Sequence, residues 1–311
     1  MNAVSVEHIT KTYLQKEQKK EKKVTALDDV SFTVDKGELF GIIGPDGAGK
    51  TSLFRILTTV LLADSGKASV EGLDVVKDYR KIRDRVGYMP GKFSLYQDLT
   101  VEENLNFFAT IFNTTVKKNY ELIKDIYVQL EPFKKRRAGA LSGGMKQKLA
   151  LCCALIHKPS ILFLDEPTTG VDPVSRRDFW DMIKKLKEQD IAILVSTAYM
   201  DEANMCEKIA LIQKGNILTV SSPEKITSEF DQPLLAVRSD DMYQLLYDLR
   251  ANKAVKEAYP FGAYYHVIPE DANKTKELEA YLQQKGQKDL EVKPIKANIE
   301  DSFIALMKKN D

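Results

Sequence analysis

The sequence predicts an α/β chain built on buried parallel strands, followed by a small α+β unit. Three observations lead there. The apolar runs Leu39–Ile43, Ile161–Leu164 and Ile191–Val195 are short and continuous, as strands buried on both faces are. Glycine-rich turns precede segments with apolar residues at helical spacing. Beyond Pro233 the order becomes strand, helix, strand, strand, helix, strand, a ferredoxin-like succession.

The stretch Gly44, Pro45, Asp46, Gly47, Ala48, Gly49, Lys50, Thr51 organises the chain. It fits G-x-x-x-x-G-K-[ST], with an apolar strand before it and Ser52–Leu57 at helical spacing after it, so the context is that of a P-loop. Gly44, Gly47 and Gly49 lack a Cβ, which lets the backbone curl and approach an anion. The curled amides and the helix start then offer N–H donors and partial positive charge to phosphates. Lys50 can reach the β- and γ-phosphates of a nucleotide, and the Thr51 hydroxyl can hold Mg²⁺. The fold class is therefore that of an α/β P-loop NTPase.

Composition narrows the partners. The 311 residues suffice for one large or two ordinary domains, and 43% hydrophobic content supports a full core. With 46 basic against 45 acidic residues the net charge is +1, which argues against nucleic acid as a partner. Cys152 and Cys153 are adjacent and Cys206 is distant; without disulfide or metal spacing they predict a reducing compartment. No signal pattern opens the chain, and no apolar run reaches the ~18–20 residues a bilayer span needs. A membrane role would be exercised from outside the bilayer.

In chain order, residues 3–9 and 30–35 alternate like half-buried strands, and the charged run 15–23 between them reads as a solvated hairpin tip or loop. Tyr13, just before that run, could stack on an adenine face. Strand is expected over 66–76 and 85–89, helix from Thr100 with a capping-box pattern, and helix over 119–130. The basic cluster Lys134–Arg137 before Gly139 reads as a helix end. Leu141, Ser142, Gly143, Gly144 and Met145 then open a long helix through Ile156, giving a second phosphate-ready helix start. Asp165 and Glu166 sit at the C-terminal end of a buried strand, where α/β sheets bind ligands. Asp165 is a candidate for the Mg²⁺ shell and Glu166 for the general base that activates water. A helix over 173–188, a strand over 191–195, a short helix over 200–206 and a hairpin over 208–220 follow. Pro223 to Pro233 reads as a boundary, giving domains of 1–222 and 232–311 with a helical subdomain near 92–158.

Residues 1–222 resemble an ABC-transporter ATPase subunit. Gly44–Thr51 matches the Walker A, Leu141–Met145 the family signature, Ile161–Glu166 the Walker B, and Gly170–Asp172 the D-loop with Asp172. A P-loop alone leaves kinases, GTPases and helicases open; with the signature and Walker B at these separations, it does not. Tyr88–Pro90, Leu99–Asn104, Tyr199–Ala203 and Ile299–Ile304 are similar to segments of the drug-resistance-type exporter ATPases. The resemblance implies ATP and Mg²⁺ as ligands and transmembrane permease subunits as partners. It also implies a second ATPase chain, clamped head to tail so that each nucleotide lies between one P-loop and the other chain's Ser142–Gly144. The place would be the cytoplasmic face of the membrane, with the segment after Pro90, including Phe93–Tyr96, receiving the membrane subunit. The alternative is a soluble ABC ATPase acting on ribosome or DNA; a single P-loop, the lack of a long heptad run and near-zero net charge tell against it.

Two positions depart from the family pattern. The Gln usual after Tyr-Met-Pro is Gly91, and the His usual after the last buried strand is Ala198. The resemblance assigns both missing groups to the terminal phosphate and the attacking water. It therefore implies secure nucleotide binding but impaired turnover, unless Ser196, Thr197 or Tyr199 stands in for the His.

Overall fold

The computed structural model describes residues 2–17 and 20–310. One compact unit runs to Pro223 and includes the chain from Leu306; the other is Glu224–Ala305.

In the first unit β1 (Val4–Glu17) and β2 (Lys20–Val34) form a long antiparallel ribbon. The charged run predicted as a tip or loop is strand over most of its length: pairing continues through Gln15↔Lys22 to Glu17↔Lys20. Residues 18–19 lie outside the described residues. Charge does not break a ribbon whose edges are free to solvate lysines. A turn at Gly72 (φ +76°) splits the strand expected over 66–76 into β4 (Ser65–Val70) and β5 (Leu73–Asp74), giving the sheet order β2-β1-β4-β5. The P-loop follows β3 (Leu39–Ile43) and leads into α1 (Lys50–Leu57). A short α2 (Tyr79–Arg83) precedes β6 (Val86–Met89).

Three helices follow: α3 (Val101–Ile111), α4 (Tyr120–Tyr127) and α5 (Gly143–Leu155). The capping box of α3 forms as its sequence predicts. The Thr100 Oγ1 accepts the Glu103 N–H at 3.2 Å, and the Glu103 carboxylate accepts the Thr100 N–H at 2.8 Å. The basic cluster 134–137 does not end α4, which stops at Tyr127; it follows a single 3-10 turn, Glu131–Phe133, that is capped at Lys134. Its backbone serves α3 instead: the Lys134 and Arg136 carbonyls accept the N–H groups of Glu102 and Val101. Two orphan donors of the helix start are satisfied there.

The remaining elements of this unit are β7 (Ile161–Asp165), α6 (Pro173–Lys187), β8 (Ala192–Thr197), β9 (Lys208–Gln213) and β10 (Asn216–Ser221). The second sheet has the order β10-β9-β3-β8-β7-β6. Every neighbouring pair from β9 to β6 is parallel. The P-loop strand thus lies inside the sheet, and the strand of Asp165 is second from one edge. Helix α1 buries Leu53, Phe54, Ile56 and Leu57 in a core shared with both sheets, where Phe54 meets Phe163 edge to face at 5.7 Å.

After α7 (Pro223–Ser228), the second unit contains β11 (Leu235–Arg238), α8 (Met242–Ala251), β12 (Val255–Phe261), β13 (Tyr264–Pro269), α9 (Thr275–Gln284) and β14 (Glu291–Pro294). The sheet order is β12-β13-β11-β14, with antiparallel neighbours. Leu235, Val237, Leu245, Leu249, Val267 and Leu282 form its core. The last helix, α10, spans Ile299–Asn310.

Candidate active site

Parallel strands end on the same side of a sheet, and this register brings three strand ends together. Ile43 pairs with Thr197 and Asp165 with Ser196, so the P-loop, the acidic pair and the end of β8 are neighbours. The P-loop backbone is tightly confined. A Cβ on Gly44 would stand 2.1 Å from the Ile212 carbonyl oxygen, and one on Gly49 2.2 Å from that of Ala26. Gly49 also has φ +108°, so both its space and its conformation require glycine. Asp46 and Gly47 are exposed at the loop tip, whereas Ala48 is buried. Helix α1 begins without a side-chain cap and without an acid in its first turn, leaving its N-terminus open to an anion.

Lys50, Thr51, Asp165, Glu166 and Ser196 converge on this opening. The buried Lys50 ammonium donates to the Gly44 carbonyl at 2.8 Å and the Pro45 carbonyl at 3.0 Å, and lies 3.1 Å from Glu166 Oε1. The Thr51 hydroxyl donates to Asp165 Oδ1 at 3.2 Å, and the Ser196 hydroxyl donates to the same oxygen at 2.6 Å. Burial raises the Asp165 carboxyl above its ordinary range; the Ser196 and Thr51 hydroxyls oppose the rise, Glu166 adds to it, and Lys50 opposes it. Glu166 has φ +49°, an uncommon conformation for a residue with a Cβ. Its N–H is fixed by both the carbonyl and the hydroxyl oxygen of Ser196, at 3.0 Å each. The hydroxyl of half-buried Tyr13 meets Ser52 Oγ at 3.0 Å, next to the start of α1.

Ser142 caps α5 by accepting the Met145 N–H at 3.4 Å, with Ser142 and Gly143 exposed and Leu141 buried. A Cβ on Gly143 would lie 3.5 Å from the Gly170 carbonyl oxygen, and one on Gly144 2.9 Å from Ser175 Oγ. The signature turn therefore lies against the D-loop and the first turn of α6. Asp172 caps α6, with Oδ1 accepting the Val174 and Ser175 N–H groups at 3.1 and 3.0 Å.

The sequence pattern of the ABC transporter family matches residues 27–169. Over 204 residues the chain is 44% identical to the probable multidrug ABC transporter ATP-binding protein YbhF of Escherichia coli; this covers 65% of the chain and 35% of YbhF, so the chain spans about a third of that relative. Against the Nod factor export ATP-binding protein I of Burkholderia lata it is 34% identical over 284 residues, 90% of this chain and 91% of the relative. The chain belongs to the ABC transporter ATP-binding proteins. The doxorubicin resistance ATP-binding protein DrrA of Mycobacterium tuberculosis is 36% identical, covering 72% of this chain and 67% of the relative. In fold it is similar to an ATP-binding cassette solved as a dimer after hydrolysis with ADP and phosphate bound: TM-score 0.63, 24% identity, 70% of this chain and 98% of that one.

For an ABC ATP-binding protein, the surroundings of Gly91 and Ala198 are informative. A Cβ on Gly91 would lie 3.1 Å from the Asp165 carbonyl oxygen and 3.6 Å from the Glu166 Cβ, so this position borders the acidic pair and carries no functional group. At β8 the three proposed stand-ins for a His are engaged elsewhere. Ser196 holds Asp165, Thr197 donates to Glu202 at 2.6 Å, and the Tyr199 ring lies under the Arg176 guanidinium at 4.1 Å. The buried Glu202 carboxylate also accepts from Thr168 at 2.8 Å and pairs with Arg176 at 3.0 Å. This network ties the end of β8 to the segment leading into the D-loop. Sequence reasoning missed Thr168, Arg176 and Glu202, because no short motif joins residues so far apart. The place of Ser196 beside Asp165 follows only from the β7–β8 register.

Proposed function

We propose that this chain is the ATP-binding and ATP-hydrolysing subunit that energises a membrane exporter. The observation that carries the reading is the convergence of Lys50, Thr51, Asp165 and Glu166 at the C-terminal ends of interior parallel strands, beside a helix start with no anion of its own. Lys50 and the α1 amides suit the β- and γ-phosphates of ATP. Thr51 Oγ1 and Asp165 Oδ1 are hard oxygen donors, and burial disfavours the charged Asp165 carboxylate unless a cation compensates it, so both fit Mg²⁺. When bound, the ion would neutralise charge on the phosphates. Glu166 serves as general base toward water, and Tyr13 stacks on the adenine.

The exposed signature start at Ser142 and Gly143 supports a head-to-tail pair, in which each chain's signature completes the nucleotide site of the other. A cavity of about 420 Å³ lined by Met89, Pro90, Leu95, Phe108, Phe112 and His157 supports docking of a transmembrane permease subunit beside the segment after Pro90. Among the described residues no helix is long and apolar enough to cross a membrane. In this reading the span is supplied by the permease partners, and the chain works from the cytoplasmic face. The relatives' names, which speak of multidrug and Nod factor export, favour an exporter over action on ribosome or DNA. We infer a ferredoxin-like accessory domain in the second unit from its strand order, with contact rather than chemistry as its role.

The test is direct. Lys50→Ala is expected to weaken ATP binding at least tenfold, as loss of a phosphate-facing charge costs several kcal/mol. An unchanged affinity in a binding titration would refute the site. Purification of the native complex with a polytopic membrane protein is the expected result for the partner; co-purification with rRNA would favour the alternative.

A further inference from the structure

The geometry points to a second role for Glu166: it is the resident counter-ion of Lys50, a latch that arriving phosphate must displace. This rests on the nucleotide site proposed above. An ammonium group has three N–H donors. Lys50 donates to the Gly44 carbonyl at 2.8 Å and the Pro45 carbonyl at 3.0 Å, and its charge is paired with Glu166 Oε1 at 3.1 Å. A phosphate oxygen arriving at this ammonium meets two carbonyls and a carboxylate already gathered round it, and one of the three has to yield.

The two carbonyls are poorly placed to move. The Gly44 N–H is bonded to the Thr197 carbonyl at 3.2 Å, and Gly44 itself is packed against the Ile212 backbone. Glu166 differs. Its backbone is pinned by Ser196, but its side chain is 23% exposed and turns on its own single bonds, whereas the Lys50 side chain is 2% exposed. A phosphate bearing more than one negative charge outcompetes one carboxylate for the same cation and then repels it. Glu166 is released on the spot, and only then is its carboxylate free to accept a proton from water. Without nucleotide the base is occupied; with nucleotide it is available. The contact also compensates the charge of a buried ammonium when no phosphate is bound to it.

Titration with ADP tests this. ADP presents a β-phosphate to Lys50 but has no γ-phosphate to be hydrolysed, so trapped ATP cannot mimic tighter binding. The Glu166→Gln chain, relieved of the competing charge, is expected to bind ADP about tenfold more tightly than the parent, within the usual range for coupled sites. Its nucleotide-free form should melt at lower temperature, and saturating ADP should remove most of that difference. Glu166→Ala tests the same contact by removing the acceptor altogether and should bind ADP at least as tightly as the Gln chain. Equal or weaker ADP affinity in both variants, with the parent binding normally, would overturn the latch. Absence of ADP binding in all three chains would overturn the nucleotide site, and the latch with it.

Discussion

Asp165 makes the residue-scale argument concrete. The carboxylate is buried, it accepts two hydroxyls on one oxygen, and burial still outweighs them, so its pKa is raised in the folded chain. The sign follows from linkage. An acid whose pKa is raised by folding costs nothing while it is protonated in both states, below its ordinary 3.8. The cost appears as pH rises through the raised value and is complete at neutrality. Asp165→Asn is therefore expected to stabilise the nucleotide-free chain at pH 7, with the gain vanishing in acid, while Mg²⁺-dependent tightening of ATP binding is lost. Urea unfolding at several pH values checks the first part, and ATP titration with and without Mg²⁺ the second. A destabilised Asn variant at pH 7 would mean that the hydroxyl bonds, not burial, dominate. At this scale the sequence was legible wherever chemistry is carried by a short motif, as at Lys50, Thr51, Asp165 and Glu166. It was not legible at Ser196 or Glu202, whose roles depend on which strands are neighbours.

Elements were legible in proportion to the local signals that fix them. The buried strands β3, β7 and β8 and the helix start at Thr100 follow from apolar runs and from an N-cap with its Glu three residues on. The charged run 15–23 does lie at the end of the β1–β2 hairpin, as expected, but as paired strand rather than loop, because backbone pairing does not depend on the charge of the side chains. The 134–137 cluster, expected to end a helix, ends only the 3-10 turn Glu131–Phe133, and its backbone carbonyls are used by a helix distant in sequence. A local pattern cannot reveal such a long-range use of main-chain groups. The α3 cap gives an element-scale prediction. Thr100→Ala removes the hydroxyl that accepts the Glu103 N–H and is expected to cost about 1 kcal/mol of stability. A urea midpoint unchanged from the parent would show that the Lys134 and Arg136 carbonyls alone suffice to hold this helix start.

For the whole molecule, every Walker and signature residue precedes Pro223, the end of the first unit's main segment. A chain truncated after residue 223 is expected to retain ATP binding, with some loss of thermal stability because the unit also includes residues from Leu306. Loss of ATP binding on truncation would make the second unit part of the site. The central claim concerns turnover. Under the proposed function the nucleotide-gripping groups are in place, but Gly91 and Ala198 would leave the terminal phosphate without two contacts that the family pattern implies, and Ser196, Thr197 and Tyr199 are engaged with other side chains. Loss of one transition-state contact commonly costs ~10²–10³ in rate. A pair of identical chains would carry the deficit in both sites, so this chain is expected to work beside a more complete ATPase chain, lending it Ser142–Gly144. The decisive measurement is steady-state ATP hydrolysis by the purified chain, alone and as Ala198→His. The account predicts slow turnover alone and a clear rise when the imidazole is restored. Turnover by the unaltered chain near or above ~10 s⁻¹, a typical enzyme value, would contradict it.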